Sequence, residues 1–235
     1  MHRFYLPLLA FQKDVLVIED QRIVFQLTKV LRIKLGTKFH LFDEGGEWLV
    51  KVAEMGKKKI HVERLSEIQN QAEPRLKVAL YQGIPKKPAL FELIVQKATE
   101  IGVTEIYPFV TERTENRRMP KLDRLNLIAM EATEQCGRLK IPKIHYPVNY
   151  EEIIGKLSNG FIAYEYEAKY YLSDYRKEIE SSAELQIIIG PEGGLSESEM
   201  SMAKEAGVKS FSLGKRILRT ETAAIAALAQ VLVER

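Results

Sequence analysis

The apolar rhythm of this chain changes once, and the change divides it. Between Phe4 and Leu65 the apolar residues come in short runs at 15–18, 39–42, 48–52 and 60–65, the lengths expected of β-strands. Asp43, Glu44, Gly45 and Gly46 supply turn chemistry between two of these runs, so 38–53 is predicted as a hairpin and a small β-barrel as the natural closure. Farther on, 78–82 reads as a buried strand, while 88–101 places Leu90, Phe91, Ile94, Ala98 and Ile101 at helical spacing with Gly102 as the stop. A strand at 106–110, a helix at 122–136 closed by Gly137 and a strand at 161–164 continue the alternation, which predicts βα units around a mainly parallel sheet. The segment between the two regimes, SEIQNQAEPR at 66–75, has no apolar periodicity and holds a proline that disfavours helix before it. The domain boundary is expected there, giving domains 1–70 and 71–235.

The last third is the most regular. A strand at 185–189, a loop at 190–195, a helix at 196–206, a strand at 210–213 and a helix at 220–233 follow in turn, with Ser196 and Glu199 as a capping box. Residues 223–232 are apolar or small nearly all round, a pattern that burial against a second copy of the chain would explain.

The single cysteine, Cys136, excludes an internal disulfide framework and a Cys-rich zinc site, and His2, His40, His61 and His145 show no ligand spacing, so no metal is expected. No apolar stretch reaches the roughly 18 residues of a membrane span, and 1–10 lacks a signal-peptide core, which predicts a cytoplasmic protein with no membrane partner. Net charge is +3 over 1–75, +4 over 76–150 and −4 over 151–235. A polyanion would therefore meet the first two thirds, although a solvated surface explains the same charges equally well.

Two loops carry the chemistry. Gly190, Pro191, Glu192, Gly193 and Gly194 follow a buried strand and precede a capped helix, the place where α/β folds bind ligands. Three glycines let backbone groups approach a ligand, yet no Lys or Ser/Thr completes a phosphate loop and no GxGxxG is present. Residues 214–222, GKRILRTET, again lie between a strand and a helix, with three basic residues around Ile217 and Leu218. Each loop alone reads equally as a structural turn or a ligand site; the pair favours a site.

With these motifs on the page, the chain resembles the RsmE family of 16S ribosomal RNA uridine N3 methyltransferases in the SPOUT superfamily. HRFYLP at 2–7, KVLR at 29–32, QKATEIGV at 96–103, ERT at 112–114, EQCGR at 134–138, IGPEGGLSESE at 189–199 and LGKRILRTETA at 213–223 carry the resemblance nearly end to end. Two positions depart from the family's pattern: Gln26 stands where a histidine is frequent, and Cys136 where a serine is usual. The resemblance implies an N-terminal PUA-like β-barrel for RNA, a C-terminal SPOUT-type α/β domain with a trefoil knot, and a homodimer using S-adenosylmethionine. The implied reaction is methylation of N3 of a uridine, number 1498 in the standard numbering, in 16S rRNA of the small ribosomal subunit. The competing expectations are a noncatalytic RNA-binding or assembly factor, and a related enzyme acting elsewhere, such as on a ribose 2′-oxygen.

On that reading the cofactor walls are Tyr164, Gly190, Pro191, Glu192, Gly193, Gly194, Leu213, Gly214, Ile217 and Leu218. Arg219 is assigned to orient the base or stabilise its developing charge, and Glu221 and Glu192 are the candidate proton acceptors, Glu221 reading equally as a helix-start residue. Arg3, Arg32, Arg113, Arg117, Arg118, Arg138 and Lys140 are expected on RNA phosphates. Tyr164, Tyr166, Tyr170 and Tyr171 read as base-stacking candidates or, with more weight, as packing residues.

Overall fold

The computed structural model describes every residue except Leu8, Ala10, Gln12, Lys13, Glu234 and Arg235, so the readings at 1–10 and at the limit 235 lie partly outside the described residues. The chain divides into two compact units, Met1–Glu73 with Thr133–Lys140, and Pro74–Ala132 with Ile141–Arg235.

In the first unit, β1 (Arg3–Tyr5), β2 (Val15–Ile18), β3 (Lys38–Asp43), β4 (Gly46–Met55) and β5 (Ile60–Ile68) form a mixed half-barrel ordered β1-β3-β4-β5-β2, with only the β1–β3 pairing parallel. The β3–β4 turn forms as its residues dictate: the Asp43 carboxylate accepts from the backbone N–H groups of Gly45 (2.8 Å) and Gly46 (3.2 Å). A short helix, α1 (Gln21–Phe25), is capped by the Asp20 carboxylate accepting from Ile23 N and runs into a π-helical turn, Gln26–Val30. Its Ile23 and Leu27 join Phe4, Ile18, Phe39, Leu41, Val50 and Val62 in the core.

The second unit contains β6 (Lys77–Gly83), α2 (Pro88–Ile101), β7 (Glu105–Val110), α3 (Leu122–Cys136), β8 (Lys143–Ile144), β9 (Val148–Asn149), α4 (Tyr150–Ile154), β10 (Gly160–Ala163), α5 (Arg176–Ser181), β11 (Glu184–Ile189), α6 (Glu197–Glu205), β12 (Lys209–Phe211) and α7 (Thr220–Leu232). The tail of α3 groups with the first unit. The strands run in the order β12-β10-β11-β6-β7-β8, with β9 also on β7, and every pairing is parallel. Both faces are covered, which explains why the strands read as unbroken apolar runs. Val78, Leu80, Leu185, Ile187 and Ile189 point into the core shared with α2 and α7; Ala79, Tyr81, Ile162 and Ile188 point to the opposite core with α4 and α6 residues. Helix α7 buries Ala224, Ala227, Leu228, Val231 and Leu232 within its own chain, leaving Ala223, Ile225, Ala226 and Ala229 half-buried. Among the described residues no helix is long and apolar enough to cross a membrane.

Candidate active site

Three adjacent parallel strands, β12, β10 and β11, stop at nearly the same level, because Ile162 pairs with both Ile188 and Ser210. The loops leaving their carboxyl ends enclose a cavity of about 630 Å³, a volume ordinary for a small-molecule site. This is the ligand position typical of open α/β sheets.

Each loop is shaped by identifiable contacts. After β10 the chain turns around Glu167, whose carboxylate accepts from Ser210 Oγ at 2.6 Å and from the backbone N–H of Lys169 at 2.8 Å. Those bonds, the Ser210 one foremost, hold the Glu167 carboxyl below the usual carboxylate range. After β11, Gly194 adopts φ +68°, a left-handed conformation that favours glycine, and lies close enough to Glu165 that a Cβ would displace that carboxylate, 2.7 Å from its Oε1. Just past the end of β12 at Phe211, Ser212 N–H donates to the Tyr170 carbonyl at 2.7 Å in a parallel bridge that joins the chain there to Tyr171 in the loop after β10. Beneath the loops, β6 presses Gly83 onto the next strand's exit: a Cβ there would meet Pro191 N at 2.4 Å.

Of the expected cofactor walls, Tyr164, Gly190, Pro191, Glu192 and Gly194 line the cavity from one side, and Leu213, Gly214, Ile217 and Leu218 from the other. Gly193 is not among the cavity-lining residues; it packs on Arg113, whose carbonyl would lie 2.8 Å from a Cβ. Arg219 and Glu192 also face the cavity. The Arg219 guanidinium is exposed and has no hydrogen-bond partner among the described residues, whereas the Glu192 carboxylate accepts from Lys86 N–H at 3.1 and 3.0 Å. Glu221 does not line the cavity; it is buried in the first turn of α7, with Oε2 unpartnered among the described residues. Burial, then the charge of Glu165, pushes the Tyr164 phenol above its ordinary value, so it stays protonated at neutral pH.

The segment 212–221, expected from the sequence to wall the site, does so at Ser212 and Thr220; sequence reasoning missed Glu165, Glu167 and Leu195 as cavity residues, and weighed Tyr166 and Tyr171 only for stacking or packing. The usable signal was positional: 164–171 follows the carboxyl end of an apolar strand, as both glycine-rich loops do.

Two of the expected phosphate ligands are corrected. All five N–H groups of Arg3 are donated inside the first unit, to both Glu47 oxygens and to the carbonyls of Thr133, Glu134 and Arg138 at 2.9–3.1 Å. Arg138 is 2% exposed and paired with Glu73 at 3.0 Å. Neither guanidinium is presented to a phosphate. Arg32, in a left-handed backbone conformation at φ +49°, and Lys140, Arg113, Arg117 and Arg118 are exposed. The last three sit on the loop after β7, which Glu199 ties to the start of α6 by accepting from Glu112 N–H at 2.9 Å.

Residues 71–232 match an RNA methyltransferase domain and residues 27–63 an RNA methyltransferase PUA domain. The ribosomal RNA small subunit methyltransferase E of Rickettsia conorii is 32% identical over 241 residues, spanning 98% of this chain and 94% of its own. This chain belongs to the methyltransferase E family. The Mesomycoplasma hyopneumoniae member of that family is 38% identical over 170 residues, covering 69% of this chain and 72% of its own. The methyltransferase E structure from Neisseria gonorrhoeae, bound to S-adenosyl methionine, aligns with a TM-score of 0.88 at 34% identity, covering 98% of this chain and 96% of that one. The half-barrel accordingly holds the part that matches the PUA domain, and the parallel sheet lies in the part that matches the RNA methyltransferase domain. The donor set suits the cofactor those loops would hold in this family: apolar Leu195, Leu213 and Leu218 for an adenine, backbone groups of Gly190 and Gly214 for polar edges, and the carboxylates of Glu165 and Glu192 opposite a positive charge.

Proposed function

We propose that this protein methylates N3 of a uridine in 16S ribosomal RNA of the small subunit, using S-adenosylmethionine held in the cavity above β10, β11 and β12. The observation that carries the reading is Arg219, which lines a cavity of about 630 Å³ and whose exposed side chain has no hydrogen-bond partner among the described residues. When bound, the cofactor supplies a methyl group on a sulfonium, which needs no further activation as an electrophile.

What the chain adds is alignment, proton removal and charge stabilisation. The base has to leave any pairing, since N3 lies in the Watson–Crick edge, and its nitrogen has to sit in line with the methyl group. Arg219 donates to the uracil oxygen on which charge grows as the N3 proton leaves, a role worth several kcal/mol in comparable sites, ~3 when one such donor is lost. Glu192 takes the proton: it lines the cavity as an acceptor, whereas the Tyr164 phenol is held protonated and Glu221 is buried and not among the cavity-lining residues. Arg113, Arg117 and Arg118, with Arg32 and Lys140, meet phosphates. The half-buried alanines of α7 support a homodimer, which light scattering reads directly.

Mass spectrometry of 16S RNA nucleosides from a deletion strain tests the reaction. Loss of 3-methyluridine, restored by the gene, is expected. Its persistence overturns the reading; loss of a 2′-O-methylated nucleoside instead moves the target to ribose, and no cofactor binding at millimolar concentration in calorimetry makes the protein a noncatalytic RNA binder.

A further inference from the structure

The methyl-transfer reading accounts for the cavity walls but not for Gln82, a wholly buried amide at the carboxyl end of β6 that does not touch the cavity. Its Nε2 donates to the Gly83 carbonyl and to Thr220 Oγ1, both at 2.9 Å. Thr220 Oγ1 in turn donates to the Gly190 carbonyl at 2.7 Å. Thr220 opens α7, and Gly190 opens the loop after β11; both face the cavity.

The direction of this relay is fixed. The Thr220 hydroxyl has one proton, and the Gly190 carbonyl can only accept, so Thr220 must accept from Gln82. A flipped Gln82 amide would set its oxygen against two acceptors. The amide therefore keeps its nitrogen on this side even though Oε1 is left without a partner among the described residues. Gly83 beside it removes the side chain that would push Gly190 and Pro191 away.

We propose that Gln82 is a positioning residue for the cofactor: through Thr220 it sets the spacing between the Gly190 loop and the start of α7, and with it the width of the cavity. The assignment rests on the cavity being the S-adenosylmethionine site. It predicts coupling that runs through Thr220 and falls mainly on the cofactor, because the hydrogen bonds of the relay end at the Gly190 carbonyl, whereas the loop that carries Arg113, Arg117 and Arg118 meets the same glycine-rich loop farther on, where Arg113 Nη1 donates to the Gly193 carbonyl at 3.3 Å.

The test is calorimetric binding of S-adenosylmethionine to the full-length protein, with steady-state KM values for cofactor and RNA. Gln82→Met, which keeps the length and loses the donor, is expected to weaken cofactor binding about tenfold, the scale of one buried hydrogen bond, while KM for RNA stays within about twofold. Thr220→Val should lose a similar factor, Thr220→Ser should bind closer to the wild type than Thr220→Val does, and the double variant Q82M/T220V should be no worse than T220V alone. Additive losses, or a Gln82→Met protein that binds the cofactor as the wild type does, overturn the assignment. If Gln82→Met does not fold by circular dichroism, the comparison of Thr220→Ser with Thr220→Val decides: equal affinities refute the relay. Absence of cofactor binding by the wild type would instead sink the functional reading itself.

Discussion

Replacing Glu47 by Gln should uncouple the first unit from pH in a calculable way. The Glu47 side chain is 4% exposed and receives Arg3 through both oxygens at 2.9 and 3.0 Å, His40 Nδ1 at 2.5 Å and Asn70 Nδ2 at 2.7 Å. Burial alone would push the carboxyl up; the hydrogen bonds from Arg3, His40 and Asn70 and the charge of Arg3 outweigh it and bring it from 4.5 to about 2. At about 1.4 kcal/mol per pH unit, that difference makes the ionised form worth about 3 kcal/mol to folding at neutral pH. Because the folded value is the lower one, this stability is present in full above pH 4.5 and drains away as pH falls towards 2. The only tryptophan, Trp48, lies in β4 next to Glu47 and packs on the same core, so its fluorescence reports this unit selectively. Urea melts of wild type and Glu47→Gln should differ by about 3 kcal/mol at pH 7 and converge as pH approaches 2. A difference that stays flat across that range, or one below about 1 kcal/mol at pH 7, the level of an exposed ion pair, refutes the reasoning.

The remaining predictions concern the cavity and the RNA. Arg219→Ala should lower the single-turnover methylation rate about 10²-fold with cofactor affinity unchanged in calorimetry; an equal loss of both would make Arg219 a cofactor ligand. Glu192→Gln should cost more activity than Glu221→Gln, since only the first faces the cavity; the reverse order in kcat would return the proton-acceptor role to Glu221. Gly83→Ala, forcing a Cβ to 2.4 Å from Pro191 N, should destabilise the second unit by about 2 kcal/mol or more in thermal melts and weaken cofactor binding. Arg117→Ala and Arg118→Ala should each flatten the slope of log K for RNA against log salt by about 0.7–0.9, while Arg3→Ala should lower the melting temperature of the first unit.

What the chain announces about itself depends on how far each signal extends. Helices α2 and α3 are long enough for a 3.6-residue period to repeat, and each ends on a left-handed glycine, Gly102 at φ +118° and Gly137 at φ +93°. The two-residue strands β8 and β9 and the single turns of α4 and α5 are too short to show any period, and tertiary pairing alone makes them. The glycine-rich cavity loops are legible because close approach demands glycine. The loop after β10 is not, because its shape comes from one carboxylate, Glu167, bonding to Ser210, 43 residues away in the chain. Arg3 and Arg138 were misread for a related reason: charge counts register a guanidinium but not the carbonyls and carboxylates that saturate it, and those come from distant sequence.

The discontinuity of the first unit also bears on the order in which the protein can be made. Residues 1–73 leave the ribosome before 133–140, yet two of the Arg3 nitrogens and the Glu73 carboxylate have partners that arrive only with that later segment. Until then a carboxylate and a guanidinium destined for burial must stay hydrated. The half-barrel is therefore a late product of translation, completed only after β6, α2 and β7 have been synthesised, and a fragment ending at Glu73 should behave as a partly formed domain.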